Sequence, residues 1–265
     1  KHYRLQCLVT GRSFRDEPAD PADGFILDNP DTNTPGFLRS AYQDSRFSPG
    51  DRRDGIFRFR QWLPIQTDLE GSTAPVTFRN TDLAKDLGLP GLYLTFSGYW
   101  PEIGAIMPTG TFKETEAYAV YGRLGTKSEL PLVVASAGNT ARAFLHVAGI
   151  NDLPLVVVVP EVNLPAIWTV GTRGRSTIVV AAGGNSDYAD AIALGGIIAA
   201  LPGYVPEGGA KNVARRDGMG TTMLSAAEEI GRIPDHYVQA VGSGTGAIAA
   251  WEANGRLIGA GGMGD

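Results

Sequence analysis

The chain has 265 residues, of which 43% are hydrophobic and 19% charged, the composition of a folded globular protein rather than a disordered one. Its net charge of -5 argues against nucleic acid as the main partner, because binding phosphates requires a basic surface. The single cysteine, Cys7, excludes an internal disulfide framework and a zinc site made of several thiolates. No secretory segment and no apolar run near the roughly 20 residues of a membrane-spanning helix are apparent. We therefore expect a cytoplasmic protein that binds no metal, nucleic acid or membrane.

Short apolar segments alternate with longer helical ones from about residue 91 onward, after a weakly patterned region that reads as loops. The strand candidates are residues 92–96, 130–136, 153–160, 176–182 and 236–243. The helical candidates are residues 112–124, 139–149, 163–170, 186–201, 221–232 and 246–257. Nearly continuous apolar runs indicate strands that are buried on both faces, as in a parallel sheet. The pattern predicts an α/β fold of three layers, and we expect the native protein to continue beyond Asp265.

The first segment that suggests chemistry is "PTGTFKE", in which Lys113 follows a turn and opens a predicted helix. Thr111 is the expected N-cap, and Glu114 lies at the spacing of a capping box. The positive end of the helix dipole does not stabilise an ammonium group. A lysine that acts as an amine nucleophile is favoured there, so we predict a catalytic role for Lys113. The alternative is an ordinary surface lysine.

The second segment is "SAGNT", where a predicted strand runs into Ser136 and then into a helix. The backbone N–H groups and small hydroxyls of Ser136, Gly138 and Thr140 would lie at a helix N-terminus, which suits a carboxylate or a phosphate. Asn139 adds a neutral donor. A simple helix cap is the alternative.

The third segment is "GSGTG", which combines Ser243 and Thr245 with three glycines, Gly242, Gly244 and Gly246. The glycines permit close approach of the backbone to a ligand, and the helix that follows offers free N–H groups to an anion. The spacing is not the G-x-G-x-x-G of dinucleotide-binding enzymes, and no acidic residue follows at the usual distance. A single phosphate monoester therefore fits better than the dinucleotide of a dehydrogenase.

These three segments together provide an amine, a carboxylate site with an amide, and a phosphate site, which are the requirements for binding pyridoxal 5′-phosphate and an amino acid. Their order resembles the fold-type II pyridoxal-phosphate enzymes, also called the tryptophan synthase β-like fold. Within these it resembles the threonine synthase and cysteine synthase group and, most closely, the cysteate synthases. The resemblance covers most of residues 57–253, and its most discriminating stretch is "GYVPEGGAKNVARRDGMGT".

The resemblance implies a role for each segment. Lys113 would hold the cofactor as a Schiff base, Asn139 would hydrogen-bond its O3′ atom, and residues Gly242, Ser243, Gly244, Thr245 and Gly246 would bind its phosphate. Ser136, Gly138 and Thr140 would bind the substrate carboxylate. For the anionic groups of the substrates we expect cationic partners, because guanidinium groups suit oxyanions. The candidates are Lys211, Arg215 and Arg216, with a solvated surface cluster as the alternative.

The implied reaction is β-replacement on O-phospho-L-serine by sulfite, giving L-cysteate and phosphate. The alternatives are a threonine synthase acting on O-phosphohomoserine, a phosphoserine enzyme with another nucleophile, and an inactive relative that only binds ligand. We expect a homodimer of two-domain subunits. Residues 1–124 with 226–265 would form the larger, cofactor-binding domain, and residues 125–225 would form a smaller, mobile one.

Overall fold

The computed structural model describes residues 1–125, 129–171, 174–181, 183 and 185–261. The first strands form a three-stranded antiparallel sheet in the order β2-β1-β3. These strands are β1 (Tyr3–Cys7), β2 (Ser13–Phe14) and β3 (Leu38–Tyr42). Two antiparallel pairs follow, made by β4 (Val76–Arg79) with β5 (Tyr93–Phe96) and by β6 (Tyr99–Trp100) with β7 (Ala105–Ile106).

The predicted parallel sheet is confirmed as a sheet of four strands in the order β10-β9-β8-β11. Its strands are β8 (Leu132–Ala135), β9 (Leu155–Pro160), β10 (Ser176–Ala181) and β11 (Val205–Pro206). Every residue of β9 is buried, because helices cover both faces of the sheet, and this explains its unbroken apolar sequence. The last residue of the predicted strand 176–182 lies outside the described residues.

Six α-helices complete the described part of the chain. They are α1 (Thr81–Asp86), α2 (Lys113–Leu124), α3 (Asn139–Ile150), α4 (Tyr188–Ala199), α5 (Val213–Ile230) and α6 (Thr245–Gly259). Helix α3 packs with α2 on one face of the parallel sheet, and α4 packs on the other. The expected three-layer arrangement is therefore present. None of the helices in the described ranges has the length and hydropathy that crossing a membrane requires.

Helix α5 packs between α2 and α6, and two glycines permit this close packing. A methyl group at Gly218 would overlap the carbonyl oxygen of Thr115 and lie 2.7 Å from the Cβ of Ala119, both in α2. A methyl group at Gly220 would lie 3.2 Å from the carbonyl oxygen of Ala249 in α6. The "GMG" sequence of α5 is thus required by the distances to both neighbouring helices.

Three sequence predictions differ from the structure. Residues 236–243 form no strand, because no described strand pairs with this segment. Val238 in its middle is 94% exposed. The predicted helix at 163–170 is a 3₁₀ segment, Glu161–Ala166, which contains Pro165. Strand β5 exists where it was predicted, but it pairs with β4 in an antiparallel hairpin rather than joining the parallel sheet.

Candidate active site

Lys113 is the first residue of α2, as predicted, and its side chain is 16% exposed. Its Nζ atom lies 3.5 Å from the Oε2 atom of Glu116, one turn further along the helix. The same nitrogen lies 4.0 Å from the sulfur of Met219 in α5 and 5.0 Å from the ring centre of Phe112. The amine is thus held in a largely buried setting that still opens to solvent, as a reactive lysine requires.

Glu114 holds the turn that precedes the lysine, but it does not form the predicted capping box with Thr111. The helix is capped at Phe112, and the hydroxyl of Thr111 accepts only a long hydrogen bond, 3.3 Å, from the backbone of Lys113. The fully buried carboxylate of Glu114 instead accepts from the backbone N–H of Thr109, at 2.8 Å, and from its hydroxyl. It also accepts from the hydroxyl of Thr73, at 3.0 Å. Glu114 therefore positions the turn through a distant segment of the chain.

A buried group of alternating charges continues from Lys113 into α5. The Nε atom of Arg215 lies 3.1 Å from the same Oε2 atom of Glu116, and its Nη1 atom lies 2.6 Å from the Oε2 atom of Glu207. Burial lowers the pKa of Arg215, but the charges of Glu116 and Glu207 outweigh it and hold that pKa above its ordinary value. Burial raises the pKa of Glu207, and the charge of Arg215 opposes this shift only in part. We call Lys113, Glu116, Arg215 and Glu207 the charge cluster.

The Ser136 loop joins the C-terminal end of β8 to α3. The hydroxyl of Ser136 accepts from the backbone N–H groups of Gly138, at 3.2 Å, and Ala141, at 3.0 Å, so it caps the helix. Thr140 is almost fully buried in the first turn of α3. The loop thus has the capping function that the sequence left as the alternative, while its role in binding a carboxylate remains a prediction.

Asn139 is exposed and begins α3, and its side-chain oxygen accepts a hydrogen bond from Arg142. The guanidinium of Arg142 in turn lies 4.5 Å from the ring centre of Trp168, a cation–π contact. Burial lowers the pKa of Arg142. The oxygen of Asn139 is thus engaged by Arg142, while its amide nitrogen donates to no acceptor among the described residues.

The glycine turn, residues 242–246, leads into α6, whose N-cap is Gly244 with φ 82°. Only glycine adopts this left-handed conformation without strain. A methyl group at Gly242 or Gly244 would meet no atom within 4 Å among the described residues, so these two positions face open space, whereas one at Gly246 would lie 3.1 Å from the amide nitrogen of Gln239. Within the same part of the chain, the N–H groups of residues 242–247 donate to no acceptor. The turn therefore presents several free donors at the N-terminus of a 15-residue helix, as anion binding requires.

Two of the three predicted cationic partners are engaged elsewhere. Lys211 lies on the surface, where its amine is 2.8 Å from the carboxylate of Asp28. Arg216 is fully buried, with its Nε atom 3.0 Å from Glu252 and further hydrogen bonds to the backbone carbonyls of Leu38 and Ala210. No described contact joins either residue to Lys113, and their substrate role remains a prediction. Arg215 is paired as well, with Glu116 and Glu207, but among the three it alone belongs to the surroundings of Lys113.

Helix α5 connects Lys113 with the glycine turn. Met219 contacts the amine of Lys113, and the next residue, Gly220, faces the second turn of α6. The described contacts include no hydrogen bond or ion pair between the Ser136 loop and either of these segments. Two cavities, of about 320 and 280 Å³, are lined by residues outside all three segments. The convergence of the three segments on one ligand therefore remains a prediction.

The sequence predictions missed Glu114 as the residue that holds the turn, and Glu116 and Glu207 as members of the charge cluster. A signal for Glu116 was available, because residues three apart on a helix are neighbours and Glu116 lies three positions after Lys113. Glu207 has no such signal, since it meets Arg215 only through the packing of a loop on α5.

A family model described as pyridoxal-phosphate dependent enzyme matches residues 104–260. Among curated relatives, the cysteate synthase of Methanosarcina acetivorans is 46% identical over 253 residues, which are 96% of this chain and 58% of the relative. That of Methanosphaerula palustris is 49% identical over 259 residues, 97% of this chain and 58% of the relative. That of Methanocella arvoryzae is 53% identical over 206 residues, 77% of this chain and 49% of the relative. The chain thus spans between about half and three fifths of the length of these relatives.

Among solved structures, the diaminopropionate ammonia lyase of Escherichia coli has a TM-score of 0.50 to this chain at 16% identity. The likeness covers 83% of this chain and 59% of that one. It is a likeness of fold, and it confirms the predicted fold class.

Proposed function

Because the chain belongs to the family of pyridoxal-phosphate dependent enzymes, we propose that it contributes to β-replacement on O-phospho-L-serine by sulfite, giving L-cysteate and phosphate. The observation that carries this proposal is the partly buried amine of Lys113 at the start of α2, inside the matched residues 104–260. The choice of substrates rests on the identity of 44–53% to cysteate synthases.

The residues present are suited to this cofactor. Phosphate requires several donors at one point, and the glycine turn offers unengaged N–H groups that face open space. The phenolic oxygen of the cofactor requires a neutral donor, and the amide nitrogen of Asn139 has no acceptor among the described residues. Lys113 would hold the cofactor covalently through its amine, Asn139 would donate to O3′, and the glycine turn would bind the phosphate.

Bound pyridoxal phosphate supplies an electron sink for the negative charge that develops on the substrate Cα atom. Lys113, once its amine is free, removes the Cα proton as a general base. Phosphate leaves from Cβ, sulfite forms a bond to the same carbon, and Lys113 returns the proton to Cα. Ser136, Gly138 and Thr140 orient the substrate carboxylate. Arg215, the one candidate cation beside Lys113, would be the partner for these anions, a role that it shares with its ion pairs to Glu116 and Glu207.

The smaller domain is proposed to close over the substrate and exclude water, which would otherwise consume the reactive product of phosphate loss. The parallel sheet supports such a unit, because its strands lie between Leu132 and Pro206, inside the range 125–225. The predicted boundary at 225 cuts through α5, which packs against α2 and α6. We therefore place the end of the unit shortly after β11. Hydrogen exchange with and without O-phosphoserine would show slower exchange in this unit if it closes.

The test of the reaction is phosphate release, measured by a coupled colorimetric assay. Protein loaded with pyridoxal phosphate is incubated with O-phosphoserine and sulfite, with O-phosphoserine alone, or with O-phosphohomoserine. Sulfite-dependent release from O-phosphoserine, with L-cysteate found by mass spectrometry, supports the proposal, and release from O-phosphohomoserine alone would refute it. Lys113→Ala should abolish turnover and the visible absorbance of the bound cofactor. Lys211→Ala is the matched control, since that lysine pairs with Asp28 on the surface and should leave both unchanged.

A cytoplasmic homodimer completes the proposal. It is supported by the resemblance to the fold-type II enzymes and, for the compartment, by a sequence with a single cysteine. Light scattering on the purified chain would give twice the 28.0 kDa mass of one chain if it is correct.

A further inference from the structure

The charge cluster contains more than the proposed reaction uses. Glu116 has no exposed surface, and its Oε2 atom faces two cations, the amine of Lys113 at 3.5 Å and the Nε atom of Arg215 at 3.1 Å. Its other oxygen, Oε1, is buried and has no hydrogen-bond partner among the described residues. Burying a carboxylate is unfavourable unless charge or hydrogen bonds compensate for it. Within the described chain, the compensation for Glu116 comes from these two cations.

We propose that Glu116 is the positioning residue of Lys113, whose carboxylate holds the free amine of the lysine at the start of α2. The inference rests on the proposed function, in which Lys113 alternates between holding the cofactor and acting as a free base. A lysine side chain has four rotatable bonds, so a released amine needs a fixed partner to remain within reach of the substrate. Glu116 is suited to this because it is fully buried and paired with Arg215.

Arg215 and Glu207 complete the arrangement by fixing Glu116 from the opposite side. Arg215 lies on α5 and bridges Glu116 to Glu207, whose Oε2 atom also accepts a hydrogen bond of 2.9 Å from the backbone N–H of Gly209. Glu207 thus contacts Arg215 but not Lys113. In the described chain, the charged groups near the lysine amine are Glu116, which contacts it, and Arg215 and Glu207, which lie beyond Glu116. The titratable hydroxyl of Tyr188 also lies close enough to Arg215 to affect its pKa.

Glu116 contacts both Lys113 and Arg215, whereas Glu207 contacts only Arg215 of these two, so variants of Glu207 are matched controls for variants of Glu116. The reactivity of Lys113 itself is measured by trace labelling with acetic anhydride at pH values from 6 to 11, with mass spectrometry of the Lys113 peptide. The proteins compared are the wild type, Glu116→Gln, Glu116→Asp, Glu207→Gln and Glu207→Asp, each first checked for folding by thermal denaturation. The labelling requires no cofactor, so its outcome is distinct from that of the phosphate-release assay.

Without the carboxylate of Glu116, the amine of Lys113 loses the partner that holds it at the start of α2, so the anhydride should reach it more easily. We expect labelling of Lys113 to be faster in Glu116→Gln than in the wild type. We expect a smaller increase in Glu116→Asp, which keeps the carboxylate but withdraws it by one methylene. If the Gln variant does not fold, the Asp pair alone carries the comparison.

In both Glu207 variants we expect Lys113 to be labelled as fast as in the wild type, because Glu116 remains between the two cations. Equal labelling rates in the wild type and in the Glu116 variants would overturn the proposal. So would an increase in the Glu207 variants as large as that in the Glu116 variants, since this would mean that Glu116 acts only by maintaining the fold. Loss of phosphate release with an unchanged labelling rate would also count against a positioning role.

Discussion

Replacement of Gly218 by alanine tests the packing that holds α2, and with it Lys113, against α5. The added methyl group would overlap the carbonyl oxygen of Thr115 and lie 2.7 Å from the Cβ of Ala119. The carbonyl oxygen is part of the backbone of α2 and cannot rotate away. The two helices must therefore separate, or α5 must bend, to accept the methyl group.

The expected cost follows from two opposing effects. Alanine in place of glycine inside a helix stabilises by about 1 kcal/mol through conformational entropy. Overpacking of a well-packed core costs about 1–3 kcal/mol and sometimes more. Since the clash here is with backbone, we expect the upper part of that range and a net loss of about 2 kcal/mol in the free energy of unfolding.

Gly255→Ala is the matched control, because Gly255 also lies inside a helix, α6, but a methyl group there would meet no described atom within 4 Å. This variant should gain up to about 1 kcal/mol. Urea denaturation of both variants, followed by circular dichroism, should therefore give free energies of unfolding that differ by about 3 kcal/mol. If Gly218→Ala proves as stable as Gly255→Ala, the close approach of α2 and α5 is not a feature of the folded protein.

Three further variants have distinct expected outcomes. Arg123→Met removes the guanidinium partner of the buried carboxylate of Asp16, which keeps the hydroxyl of Tyr3 and the amine of Lys1, and should cost about 3–5 kcal/mol near pH 7. Burial raises the pKa of Asp16, but Arg123 outweighs this effect and holds that pKa below its ordinary value. The stability that this pair contributes should therefore be lost as the pH falls below about 4, and Arg123→Met should show a weaker loss over that range. Glu114→Ala should cost about 1–3 kcal/mol by leaving buried donors unpaired, and should weaken cofactor binding. Ser136→Ala should cost about 1 kcal/mol through loss of the α3 cap.

These outcomes are checked by urea denaturation at several pH values and by titration with pyridoxal phosphate. Asp187→Ala is the control for Ser136→Ala, since Asp187 caps a different helix, α4, through the backbone N–H groups of Ala189 and Asp190. It should lose similar stability but leave the binding of the substrate carboxylate, the role proposed for Ser136, unchanged. A stability profile of Arg123→Met parallel to that of the wild type would contradict the account of Asp16. Unchanged cofactor binding in Glu114→Ala would mean that the turn before Lys113 needs no support.

The parts of the fold that the sequence predicted are those in which local pattern and burial agree. The apolar run of β9 is one example, because a strand that is buried along its whole length consists of apolar residues. The start of α2 near Lys113 is another, because the turn residues before it mark a helix start. Residues 236–243 have the apolar composition of a buried strand, yet a strand forms only where a neighbour offers its backbone groups. That neighbour is a property of the tertiary structure, so the prediction of a strand was wrong.

In the candidate site, too, features set by local sequence were predicted, and contacts between distant elements were not. The glycine turn and the Ser136 loop lie at helix starts as predicted, because backbone conformation at a helix start is determined by a few residue types. Their binding roles remain predictions. The roles of Arg215 and Arg216 could not be separated, since adjacent arginines look alike in a sequence. One faces Glu116 and the other Glu252 only because they project from different sides of α5. Side chains that meet across elements are therefore the least predictable part of such a site.

The bond between Thr73 and Glu114 links the turn before Lys113 to a segment 41 positions away in the chain. The short motif around the lysine is consequently incomplete by itself, although it contains the reactive group and the residues of the turn. Transplanting residues 107–124 onto another scaffold would transfer the amine without the anchor that orients it. A designed protein that uses this lysine would also need a buried hydroxyl that donates to Glu114, as Thr73 does here.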